Sequence, residues 1–232
     1  MPPPPSPSSP GADESECYDE GWVVGEESGA GGEDVLRAWL GNRHSSTHGR
    51  AIGAGEPLRG TSWLNRPYEW SFEAGSFIMT GDPADGVSSA NDVFAAISAG
   101  WDWDHYWGGQ LRVGWTTPEL TNSALTSDTG DNLFMGDMSV MFYPWGDSRK
   151  RPYLRVGAGL TELEFTNAAS QRRQETLYTL PIAIGIKYQF RRWAAWRAEF
   201  ANNIAFGSGD ANTVNNITLT VGVEGRFGGR PS

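Results

Sequence analysis

Eleven charged residues carry the chemistry this sequence offers: Glu69, Glu73, Asp102, Asp137, Glu199 and Glu224, and against them Arg112, Arg155, Lys187, Arg197 and Arg226. Each sits in a stretch that alternates apolar and polar residues, and each takes a polar position. Carboxylates can act as general acids or bases, but only with a nucleophile or a second base in hydrogen-bond reach. The three histidines do not provide that partner. His44 and His48 lie in an N-terminal region of different composition. His105 stands in "WDWDHYW" beside Asp102 and Asp104 with no Ser or Cys next to it. No strand carries a His and a Ser together, so no catalytic residue is expected. Six acids facing five bases suggest mutual pairing instead.

Other reactive types lead no further. "SDTGDN" (Ser127–Asn132) groups oxygen ligands, but its spacing is not that of a calcium-binding loop and no closing Glu follows; it reads as a solvated turn. "GAGEPLRG" and "GSGDAN" lack the Lys or helix that a phosphate-binding glycine loop requires. Cys17 is the only cysteine, which excludes an intramolecular disulfide and a thiolate cluster. No metal or cofactor is expected. A net charge of −10 excludes a nucleic-acid partner, which needs a basic face.

The elements that hold the charges are strands. In "ITLTVGVEGRF", Ile217, Leu219, Val221, Val223 and Phe227 form one row, and Thr218, Thr220, Gly222, Glu224 and Arg226 the other. That period of two is a strand with one apolar and one polar face. Seven more such stretches precede it: 68–79, 93–103, 107–117, 133–143, 153–165, 176–190 and 193–206. In 133–143 the pattern is broken by Leu133 and Met135. Long connections rich in Asp, Asn, Ser, Thr and Gly (81–92, 119–131, 166–175, 207–214) alternate with short turns flanked by aromatic residues. The pattern is an eight-stranded antiparallel up-and-down β-barrel. Short turns at one end and long loops at the other match a barrel of the outer membrane.

Two features decide which row faces inward. The charged rows are nearly neutral in sum, as a closed interior requires because an unpaired buried charge is costly. Gly75, Gly100, Gly114, Gly157, Gly159, Gly185 and Gly222 lie among the charges, leaving room for long side chains in a narrow bore. Aromatic residues at the short turns (Trp101, Trp103, Trp107, Tyr143, Trp145, Tyr188, Trp193 and Trp196) are expected to form the girdle that sits at lipid headgroups. The polar row therefore faces the axis as a lumen charge network, with Arg226 beside Glu69, and the apolar row faces lipid. A soluble lipocalin-like carrier with the rows reversed, or a narrow pore, are the competing readings.

"RPYLRVGAGLTELEF", "AWRAEFANNIAF" and "NITLTVGVEGRFGG" resemble the last strands of the OmpA-like and opacity-type outer-membrane β-barrel domains. The resemblance covers about Tyr68 to Phe227. It implies a bacterial outer-membrane location, lipids as surroundings, and contact with the barrel-insertion machinery. It also implies a terminal aromatic that this machinery reads, a role that falls to Phe227, although Gly228–Ser232 follow. The expected function is non-enzymatic: a lipid-embedded scaffold with a structural or surface-interaction role, open to an extracellular ligand at its long loops.

Residues 1–65 are expected to be a separate, disordered tail and linker, with 66–228 as the barrel. Ten acidic residues against four Arg put −6 of the net charge in that tail. "MPPPPSPSSPGADESECYDEG" has neither the basic start nor the apolar stretch of an export signal, which leaves an upstream start, a lost or removed signal, or a cytosolic protein as alternatives.

Overall fold

The computed structural model describes residues 58, 60–80, 87–89, 91–122, 129–130, 132–166, 172–207 and 212–229. Cys17, His44, His48 and half of "SDTGDN" (Ser127, Asp128 and Asp131) lie outside them. Among the described residues there are eleven strands: β1 (Tyr68–Thr80), β2 (Val87–Ser89), β3 (Asp92–Asp102), β4 (Trp107–Thr116), β5 (Glu119–Asn122), β6 (Thr129–Gly130), β7 (Leu133–Phe142), β8 (Lys150–Thr166), β9 (Arg172–Arg191), β10 (Ala194–Phe206) and β11 (Val214–Phe227). Eight of them close a barrel in the order β1-β11-β10-β9-β8-β7-β4-β3. Every neighbouring pair is antiparallel, and the seam runs from Tyr68↔Phe227 to Thr80↔Asn215. Closure pairs every edge, which is the condition for crossing hydrocarbon with strands. Strands β2, β5 and β6 form a small separate sheet in the first two long connections.

The alternation read from the sequence becomes two faces. On the outside stand Trp70, Phe72, Ile97, Leu111, Val113, Met138, Val140, Val156, Ile182, Ile184, Ile186, Phe200, Leu219 and Val221, all exposed. An apolar belt of this extent is far beyond the exposed patches that water-soluble monomers carry. The reversed, carrier-like packing is thereby corrected: Leu219, Val221 and Ile184 are outside, while Glu224 and Arg155 are fully buried inside.

The interior is graded along its length. On β1 the inward row runs Glu69, Ser71, Glu73, Gly75, Phe77, Met79, from charged to neutral to apolar. On β11 it runs from Arg226 and Glu224 through Thr220, Thr218 and Asn216 to Val214. At the long-loop end Phe77, Met79, Phe94, Ala96, Leu133, Met135, Leu163, Leu177, Ala205 and Val214 form one buried apolar cluster. This explains the break at Leu133 and Met135: both keep their alternating places and point inward, into a dry end section. Among the described residues the buried charges are confined to the short-turn portion, and the loop-side section holds only neutral Thr and Asn among its apolar residues.

Candidate functional site: the filled bore and its short-turn mouth

The charged section is built from inward positions on all eight barrel strands together with the turn side of β8. At its centre Glu199 accepts from Arg112 Nη1 at 2.8 Å and Arg155 Nη2 at 2.9 Å through Oε1, and from Arg197 Nη2 at 2.6 Å through Oε2. Tyr153 links this group, donating to Glu199 Oε2 at 2.8 Å and accepting from Arg197 Nε at 2.8 Å. Arg155 also reaches Asp137 at 2.7 Å, and Glu73 lies 3.4 Å from Arg197 Nε and 3.8 Å from Arg112. Gly185 leaves the space that the Tyr153 ring fills, since a Cβ there would collide with the phenol.

Nearer the short turns a second group forms. Lys187 Nζ donates to both oxygens of Glu69, at 2.7 and 2.6 Å, and lies 2.8 Å from Glu224. Arg226, expected beside Glu69, donates to it at 2.9 Å and to Glu224 at 2.7 Å, and also bonds Asp102. Asp102 receives a further donor, Arg151 Nη1, at 2.7 Å. All eleven residues of the expected network thus point into the bore. Arg151 is a twelfth; its place beside a turn hid it from the sequence reading. With it, six acids face six bases and the buried section is neutral. Charges removed from water are stabilised only by such dense mutual pairing.

The mouth is closed by residues the sequence reading assigned to the linker. Trp63 is 0% exposed. It lies in a 3-10 turn, Trp63–Asn65, capped by the Ser62 hydroxyl. Its backbone N–H donates to Asp147 Oδ1 at 2.9 Å and its indole N–H to the Ser148 carbonyl at 2.7 Å. The ring lies across two guanidinium groups, Arg226 at 4.6 Å and Arg151 at 5.1 Å. A Trp face over a desolvated guanidinium is a favourable cation–π pair. Leu58 and Ala195 complete a small apolar contact with it. The folded unit therefore begins before Arg66.

The aromatic residues divide. Trp103, Trp107, Tyr188, Trp193 and Trp196 are exposed on the outer face and Trp101 is half-buried. Tyr143 is a correction: it is 1% exposed and stands inside, in contact with Tyr153 and Met141. The ring lies over Arg151 at 3.5 Å, and the hydroxyl accepts from Lys187 at 3.3 Å. Tyr143 keeps the inward phase of Leu133, Met135, Asp137, Ser139 and Met141 one residue past the strand end, and two nearby cations hold the ring there. Trp145, in the same turn, is half-buried with its indole nitrogen buried. A second aromatic rim, Trp115, Phe134, Tyr178 and Phe206, stands exposed toward the long loops. These residues were legible only as parts of outward rows.

An apolar belt between two aromatic rims, around a neutral ionic bore, has one environment in which both faces are satisfied, and that is a lipid bilayer. The family model of the outer membrane protein beta-barrel domain matches residues 65–227. The chain belongs to that family. It is accordingly an outer-membrane protein that spans the membrane with strands and is embedded in lipid. A search of curated proteins found no match. Among solved structures, Neisserial surface protein A has a TM-score of 0.53 at 18% identity, over 69% of this chain and 96% of that one. The N-terminal β-barrel domain of OprF from Pseudomonas aeruginosa has a TM-score of 0.47 at 14% identity, over 68% and 97%. Ail of Yersinia pestis has a TM-score of 0.45 at 14% identity, over 69% and 99%. At these identities the likeness is one of fold.

Among the described residues no group of His, Cys, Asp or Glu has metal-binding geometry. His105 Nδ1 lies 3.9 Å from Asp147 Oδ1, an oxygen that already accepts from Trp63.

Proposed function

We propose that this outer-membrane barrel is a closed scaffold that holds its long loops at the cell surface and neither conducts nor turns over a substrate. The observation that carries the reading is the filling of the bore. An eight-stranded barrel has room for side chains and little else. Here the ionic section, the neutral Thr and Asn positions and the apolar end section occupy that space in sequence, with Trp63 across the mouth. Glu199, whose four acceptor sites take Arg112, Arg155, Arg197 and Tyr153, has no free lone pair to take a proton from a substrate. The network residues therefore act as structure. The long loops are the part free to vary and to meet a ligand.

In this reading the short turns face the periplasm, as the outer-membrane pattern has it. Leu58 and Trp63 then stand on the periplasmic side. Phe227 stands on the outer face, 52% exposed, against the Tyr68 ring at 5.8 Å. That position leaves its ring free to be read by the insertion machinery before the seam closes.

Planar-bilayer recording tests closure. The wild-type barrel should give a flat current trace, and discrete single-channel steps would contradict the scaffold reading. Epitope tags placed at residues 84 and 125 should be reached by antibody on intact cells; tags reached only after lysis would reverse the assigned orientation.

A further inference from the structure

The chain is acidic overall, yet the short-turn rim is not. Arg149, which ends the β7–β8 connection, and Lys150, which begins β8, lie on a hairpin next to the one that carries Arg191 and Arg192 at the β9–β10 turn. The two are locked together: Gln189 N donates to the Arg149 carbonyl at 3.0 Å, and Lys150 pairs with Tyr188 in the β8–β9 register. Lys150, Arg191 and Arg192 are exposed and Arg149 is half-buried. None of the four has an ion pair among the described residues. On the described part of that rim the acids are Asp147, buried and bonded to Trp63, and Asp104, which accepts from the N–H groups of Tyr106 and Trp107. The exposed aromatics Tyr188, Trp193 and Trp196 stand beside the four cations, with Arg149 over the Tyr188 ring at 5.3 Å.

We infer that these four cations are a docking surface for the phosphodiester headgroup of an anionic phospholipid in the periplasmic leaflet. The inference rests on the periplasmic placement of the short turns. Lys150 occupies an outward position on β8, in the same row as Val156 and Leu160, so its stem follows the lipid face and its ammonium group ends at headgroup depth. Aromatic rings mark that depth from the neighbouring strands. Unpaired cations at a membrane surface are attracted to anionic lipid, each adding to the preference and losing strength as salt screens it. Toward the long loops the described residues mix Asp92, Glu119, Glu162, Glu164 and Glu175 with Arg172 and Arg173, an acidic excess that disfavours anionic lipid at that end.

Native mass spectrometry of the full-length protein, equilibrated in detergent with equal phosphatidylglycerol and phosphatidylcholine, tests this directly. Wild type should retain phosphatidylglycerol about tenfold over phosphatidylcholine. The Arg149→Gln, Lys150→Gln, Arg191→Gln, Arg192→Gln variant, shown to be folded by its heat-modifiable gel mobility, should retain the two equally. A second measurement needs no variant. Lys150 and Lys187 are the only lysines. Acetylation of Lys150 should be slower in phosphatidylglycerol vesicles than in phosphatidylcholine vesicles, with buried Lys187 as the unreactive control. Equal retention by wild type, a preference that survives in the variant, or lipid-independent acetylation of Lys150 would overturn the inference. So would carbodiimide cross-links from Lys150 to carboxylates of residues 1–57 without any lipid preference, since the acidic segment would then hold the patch.

Discussion

Replacing Arg226 with Ala removes the donor that ties the mouth of the barrel together. Its guanidinium contacts Glu69, Glu224 and Asp102, donates to the Arg66 carbonyl at 3.0 Å and lies under the Trp63 ring. Without it, Glu69, Glu224 and Asp102 share only Lys187 and Arg151, and three buried acids face two bases. Breaking a buried ion pair by deleting one partner costs roughly 3–5 kcal/mol, mostly because the other charge stays buried and unpaired. Loss of the cation–π contact adds about 1 kcal/mol. The assay is reversible urea unfolding in lipid vesicles, read by the gel mobility of folded and unfolded forms. The design includes its own control. Arg226→Met with Glu224→Gln leaves five acids against five bases and should regain about half of the loss, because a neutral pair is tolerated where a lone charge is not. A loss under about 1 kcal/mol for Arg226→Ala, or a double variant as unstable as the sum of its single changes, would refute the claim that charge balance governs this interior.

Three further outcomes follow from the same geometry. Trp63→Ala should expose the Lys187 amine to reductive methylation several-fold faster than in wild type while Lys150 is unchanged, and Trp63→Phe should restore most of the protection; equal Lys187 rates would remove Trp63 from the seal. Gly185→Ala should destabilise the barrel by about 1–3 kcal/mol in the same unfolding assay, because the added carbon displaces the Tyr153 ring. Phe227→Ala should slow assembly by the insertion machinery in a reconstituted assay and leave unassisted folding into detergent unchanged; identical assisted rates would take the signal role from Phe227.

Strand rows were legible because a period of two is a local property, and closure of the barrel preserves it. Glu69, Arg155 and Glu224 were placed inside from alternation together with the near-neutral charge sum and the glycines of the polar rows. What failed to show was whatever depends on position along the axis or on residues beyond a strand's end. Phe94 and Met135 sit in the same rows as Ser98 and Asp137, so alternation places them inside without saying that the loop-side section is dry. Tyr143, one residue past β7, shares the inward phase of Ser139 and Met141, and only its aromatic type beside a short turn had suggested a place on the rim. Trp63 stands in a stretch whose Pro, Gly and Ser content suggested no fixed structure, yet it is held by Asp147 and Ser148, 84 and 85 residues away in sequence. Arg151 was hidden by the charged run "DSRKR", where Arg149 and Lys150 turn outward and Arg151 turns in.

The account depends on which row meets lipid, and a nitroxide scan along β11 measures that. With Cys17 replaced by Ser, single cysteines at positions 217 to 227 would be spin-labelled and their collision rates with molecular oxygen recorded in vesicles. Labels at 219, 221 and 223 should collide freely, as probes in hydrocarbon do, and labels at 220, 222 and 224 should be shielded. The opposite phase, or no alternation, would contradict the structure's central assignment.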